Sequence, residues 1–79
     1  LNESKLEVAF YPNPVTGELN VSTEEKAESF VIVDQSGKIW KRVSGSSKNQ
    51  VIDVSDLASG SYSLVVLFSN GYTTVKFIK

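Results

Sequence analysis

Few side chains in this sequence are equipped for chemistry. It has no His, Cys or Met among its 79 residues, which removes thiol nucleophiles, Cys/His zinc sites and the usual general base at neutral pH. Carboxylates and amines remain. Glu24, Glu25 and Glu28 cluster after Ser22, but a calcium site needs several more oxygen ligands, and neither the spacing nor a loop glycine supplies them. Ser22 and Glu25 also have the spacing of a helix capping box. No apolar period follows, so a solvated loop is expected there. Lys76 and Lys79 bracket Phe77-Ile78. Two readings stand for that pair: lysines that keep a sheet edge from pairing with other chains, or cations that flank a docking surface. Asn2-Glu3-Ser4 and Asn20-Val21-Ser22 fit the glycosylation triplet, a pattern too short to carry weight. The expectation is a protein that is not an enzyme and needs no cofactor or metal.

Strands must position whatever these residues do. Period-two alternation and turn residues about every ten positions predict about seven short strands in an antiparallel β-sandwich. Leu6 to Tyr11 places Leu6, Val8 and Phe10 on one face, and Glu18 to Ser22 turns Leu19 and Val21 inward. Between them lies Tyr11-Pro12-Asn13-Pro14, where fixed φ angles and missing N–H groups end the first strand. Geometry explains one proline there but not two. Ser29 to Asp34 is apolar without alternation, as is Ser61 to Ser69 on both its faces, so both should lie centrally. Asp34 to Gly37 reads as a turn with Gly37 left-handed. Lys38 to Val43 returns antiparallel, and one of the neighbours Ile39 and Trp40 must be partly exposed. Ser44 to Asn49 reads as a polar loop, Gln50 to Val54 as a short strand, and Leu57 as a plug at the end of the sandwich. Asn70-Gly71 predicts a tight hairpin. The last strand, Tyr72 to Lys79, carries Val75 and Phe77 on one face and Thr74, Lys76 and Ile78 on the other. The expected core is Tyr62, Leu64, Val66, Val75 and Phe77.

Length and charge bound the class. The whole chain, 1–79, reads as one small domain, with 1–5 the end of a linker and 6–79 the sandwich. An apolar share of 41% supports a core, and no apolar run approaches the ~20 residues of a membrane-spanning helix. Eight cations and nine carboxylates are mixed along the chain for a net charge of −1, which provides no field for nucleic acid or an anionic membrane. The absence of Met suggests a processed or excised piece of something longer, read as a C-terminal module.

Four stretches together carry a resemblance: YPNP at 11–14, VDQSGK at 33–38, LASGSYSLVV at 57–66 and KFIK at 76–79. In this order, over nearly the whole chain, they resemble the type A C-terminal sorting domain of the type IX secretion system of Bacteroidota. The resemblance implies an immunoglobulin-like sandwich that directs a cargo protein, N-terminal in the same chain, across the outer membrane for surface attachment or release. It implies transit through the periplasm, with the type IX translocon and a sortase-like peptidase as partners. The family motif maps to Tyr11, Pro12, Asn13, Pro14, Asp34, Gly37, Gly60 and Tyr62, and translocon recognition to Lys76, Phe77, Ile78 and Lys79. Each has a structural reading beside it: prolines that stop edge pairing, glycines at positive φ, and Tyr62 as a core aromatic with a bonded hydroxyl. A competing function is a carbohydrate-binding or adhesive sandwich that stacks sugars on Trp40, Tyr11 or Tyr72.

Overall fold

The computed structural model describes residues 2–3, 7–12 and 14–79. Among them lie six strands: β1 (Asn2–Glu3), β2 (Val8–Tyr11), β3 (Glu18–Asp34), β4 (Ile39–Asp53), β5 (Ser61–Phe68) and β6 (Gly71–Ile78). The all-β expectation holds, but the strands are divided differently. The predicted strands at 18–22 and 29–34 are the two halves of one 17-residue strand, and those at 38–43 and 50–54 belong to one 15-residue strand. The stretches read as polar loops, after Ser22 and from Ser44 to Asn49, pair with each other, Ser22 opposite Asn49 and Ala27 opposite Ser47. Composition reports burial, whereas ladder hydrogen bonds come from the backbone, so a mostly polar ribbon whose buried members include Thr23 and Ala27 shows too little apolar alternation to be read as a strand.

This long hairpin builds two layers. The first half of β3 pairs with β2 (Phe10 opposite Val21), and its second half pairs with β5 (Ile32 opposite Leu64), while β4 follows it along both. β6 pairs antiparallel with β5, and β1 lies parallel to β6. Register shifts fall between Ser22 and Ala27 and between Ala27 and Ser29. There the inward phase changes, from Leu19, Val21 and Thr23 to Phe30 and Ile32. One added residue moves every later side chain to the opposite face, which is what a bulge does.

The layers meet face to face. Phe10 on β2 has no backbone pairing with β6, yet its ring meets Phe77 edge-on with centroids 6.3 Å apart, and Tyr62 stacks on the same Phe77 at 5.6 Å. Phe30, Phe77, Leu19, Ile32, Leu64, Val54 and Val66 are fully buried, each worth about 1.5–3 kcal/mol relative to exposure. Of the expected core, Tyr62, Leu64, Val66 and Phe77 are buried and Val75 is partly buried against them. Leu57 closes the end, as expected, together with Val15.

Some local readings change. The predicted strand start at Leu6 lies outside the described residues. Ile39 and Trp40 are both about half exposed, 49% and 46%, rather than one of them. Phe68 pairs with Gly71, so the last hairpin turns on Ser69-Asn70 and Gly71 opens β6. Among the described residues positive φ occurs only at Gly37 (89°) and Gly60 (157°), so no primed turn forms at Asn70-Gly71.

Candidate functional site

Asp34, Gly60, Tyr62 and residues 76–79 lie at one end of the sandwich, where β3 and β6 finish and β4 and β5 begin. The registers place Asp34 opposite Tyr62 and Tyr62 opposite Phe77, with Lys76 opposite Ser63 and Ile78 opposite Ser61. Beyond β6, Lys79 and Gly60 exchange both backbone hydrogen bonds, at 2.9 and 3.0 Å. Across the same end the Val15 N–H donates to the Ile78 carbonyl at 2.8 Å. Thus the residue after Pro14 is tied to the C-terminal strand. The Tyr11-Pro12 peptide bond is cis, and Asn13 lies outside the described residues. Tyr11 itself points away, 62% exposed on the other layer opposite Asn20, and Gly37 stands at the tip of its turn with no atom near enough to meet a Cβ.

Asp34 organises its corner. Its Oδ1 accepts from the Ser36 N–H at 2.9 Å, the Ser36 hydroxyl at 2.7 Å and the Lys38 N–H at 3.0 Å. Its Oδ2 accepts from the Trp40 indole N–H at 2.8 Å. The Gly37 N–H closes the turn on the Asp34 carbonyl at 3.1 Å, and the Asp34 N–H donates to the Lys38 carbonyl at 3.0 Å. Bonds to Ser36 first, then to Trp40, lower the Asp34 carboxyl from 3.8 to about 2, because every partner favours the charged form. The same Asp-x-Ser device recurs at Asp53, which accepts from the Ser55 N–H at 2.9 Å and its hydroxyl at 2.7 Å. Ser55 lowers the Asp53 carboxyl, and a 3.0 Å pair with Lys41 lowers that of Asp56.

The four C-terminal residues divide by side chain. Phe77 is buried, while Ile78 is 51% exposed and Lys76 is exposed on the same face. The Lys76 ammonium has no ion-pair or hydrogen-bond partner among the described residues. It borders an open hollow of about 360 Å³ lined also by Asp34, Gln35, Ser61, Tyr62 and Ser63. Lys79 differs: its ammonium turns back to donate to the Leu57 carbonyl and, at 3.3 Å, to the Ser55 carbonyl. The two terminal lysines, which alternation places on opposite faces, therefore differ in what their ammonium groups meet. Alternation places a residue on a face, but it does not say where a four-carbon stem will bend.

Tyr62 is a core aromatic whose hydroxyl donates to the Ala58 carbonyl at 2.5 Å, a link of the kind that fixes the corner of many β-sandwiches. Sequence reasoning missed Ser55, Leu57, Ala58 and Trp40 as partners at this end. The repeated Asp-x-Ser spacing was the available signal for one of them. The aromatics of the sugar-binding reading do not assemble. Lys38 covers the Trp40 ring at 4.2 Å, Tyr11 is on the opposite layer, and Tyr72 is beside the far hairpin, opposite Leu67.

Among the described residues no helix is long and apolar enough to cross a membrane. Asp34, Gly60, Tyr62 and the C-terminal strand thus meet at one end of an all-β fold. The family model described as a secretion system C-terminal sorting domain matches residues 9–79, and the chain belongs to that family. No curated protein matches it. It is therefore a C-terminal signal of type IX secretion, directing its cargo across the outer membrane to the cell surface or the medium and engaging the secretion machinery.

Proposed function

We propose that residues 1–79 act as one sorting unit whose C-terminal strand, Lys76-Phe77-Ile78-Lys79, is the element read by the type IX translocon during transit through the periplasm. A sortase-like peptidase acts on the exported protein afterwards. The observation that carries this reading is the division of that strand: Phe77 anchors it in the core while Lys76 and Ile78 face solvent together. A half-exposed isoleucine beside a cation that has no partner among the described residues offers apolar area with a charge for orientation, the composition of a small recognition surface. Asp34, Gly37, Gly60, Tyr62 and the proline joint are read as the scaffold of that surface.

The test is a neutral reporter carrying an N-terminal export signal and residues 1–79, expressed in a cell with a working type IX system. The wild-type fusion reaches the surface or the medium. Ile78→Ser with Lys76→Ala keeps the melting curve and leaves the reporter in the periplasm. Export of a folded double variant at the wild-type level moves recognition to another face.

A further inference from the structure

We infer that Lys79 serves sorting as a positioning residue rather than as a displayed charge: its ammonium latches the Ser55–Leu57 loop onto the end of β6, and so fixes the direction in which Ile78 and Lys76 project. The inference rests on the reading that this strand end is what the translocon recognises.

Three observations converge on the latch. The Lys79 ammonium donates to the carbonyls of Leu57 and Ser55, so a cation that would otherwise be free is bound to the protein's own backbone. The main chain of the same residue exchanges both hydrogen bonds with Gly60. One residue thus holds the 55–60 segment at both of its ends. That segment is itself preformed to receive a cation: the Ser55 N–H and hydroxyl bind Asp53, and the Leu57 N–H binds the Val54 carbonyl at 3.1 Å, leaving the Ser55 and Leu57 carbonyls to accept from Lys79. Leu57 is buried under the end of the sandwich, 5% exposed, so the latch pulls on a plug in the core and not on a free loop. Hydrogen bonds from a charged donor are stronger than neutral ones. Ile78 is held from its other side by the Val15 N–H. The displayed side chain therefore sits between two anchors, and removing one of them lets the strand end fray.

The chain has no cysteine, so a Lys79→Cys variant carries one thiol that can be alkylated selectively. Alkylation with 2-bromoethylamine restores an ammonium with N–H donors, whereas (2-bromoethyl)trimethylammonium restores the charge alone. Amide hydrogen exchange is read at Gly60, whose N–H bonds Lys79. Exchange there should quicken about tenfold or more in unmodified Lys79→Cys, the size expected when charge-assisted bonds at a partly exposed site are lost. It should return to the wild-type rate with the ammonium and stay fast with the trimethylammonium. Equal rescue by both reagents, or no change in the variant, overturns the latch. In cells, Lys79→Met should reduce reporter export and quicken exchange at Gly60, while Lys76→Met should reduce export with exchange unchanged. Full export of Lys79→Met with fast exchange also overturns the inference, because sorting then does not need the latch. Unimpaired export of folded Lys76→Met with Ile78→Ser defeats instead the reading of the strand end as the recognised element, whatever the exchange data say.

Discussion

The Val15 N–H donates to the Ile78 carbonyl at 2.8 Å, joining the residue after the second proline to the strand end 63 positions along the chain. This contact gives Pro14 a role that strand termination alone did not. Pro12 ends β2, and Pro14, with its fixed φ, helps to set the path that brings Val15, 2% exposed, under the edge of β6. Pro14→Ala should therefore melt lower than the parent while β2 remains intact. Exchange at the Val15 amide should rise more than exchange at the Phe10 amide.

Removing the Tyr62 hydroxyl isolates one corner bond. Tyr62→Phe keeps the ring on Phe77 but loses the bond to Ala58, and should cost about 0.5–1.5 kcal/mol in denaturant unfolding. Tyr62→Ala also empties core volume and should cost about 3–5 kcal/mol. That is a large part of the stability expected of a domain this size, roughly 4–12 kcal/mol.

Gly37 tests backbone strain without steric conflict. Its φ is 89° and a Cβ there would meet nothing within 4 Å. Gly37→Ala should lose about 1–2 kcal/mol from conformation alone, and Gly37→Asn should lose less, because Asn tolerates left-handed angles.

Acid should weaken the Asp34 corner. The folded-state value of about 2 lies below the ordinary 3.8, so the charged carboxylate adds stability above about pH 4 that is lost as pH falls toward 2. Asp53 and Asp56 are lowered too and act in the same direction. The Trp40 indole N–H resonance should shift over this window and disappear from it in Asp34→Asn. With no histidine in the chain, the melting temperature should stay flat from about pH 5 to 8.

Phe77 and Ile78 should separate folding from recognition. Phe77→Ala should cost about 3–5 kcal/mol, a large part of the stability expected of the domain, and lower export together with the melting temperature. Ile78→Ser should move stability by no more than about 0.5 kcal/mol. A melting curve and a surface assay on the same fusion read both outcomes.

Where burial imposed alternation, the sequence could be read directly. Tyr62, Leu64 and Val66 share the inner face of β5, and Leu19 and Val21 that of β3, because a period of two leaves no freedom once one face meets the core. The turn at Asp34–Gly37 was legible through its glycine. The middle of the long hairpin was not, because TEEKAES and SGSSKN pair through backbone groups that composition does not report. Within the site, alternation placed Lys76 and Ile78 on one face and buried Phe77. It could not place the Lys79 ammonium, whose partners are carbonyls of residues 55 and 57, remote in sequence and invisible to any side-chain pattern.

The hairpin of β3 and β4 belongs to both layers, so neither layer can come apart without loosening the other. A tear that starts at β2 or at β6 runs along this common spine, and no half-molecule remains that keeps a core of its own. Unfolding should be all-or-none. To a protease the sorting unit is then either closed or entirely open, and a cargo whose tail has opened loses its address and its protection in the same event.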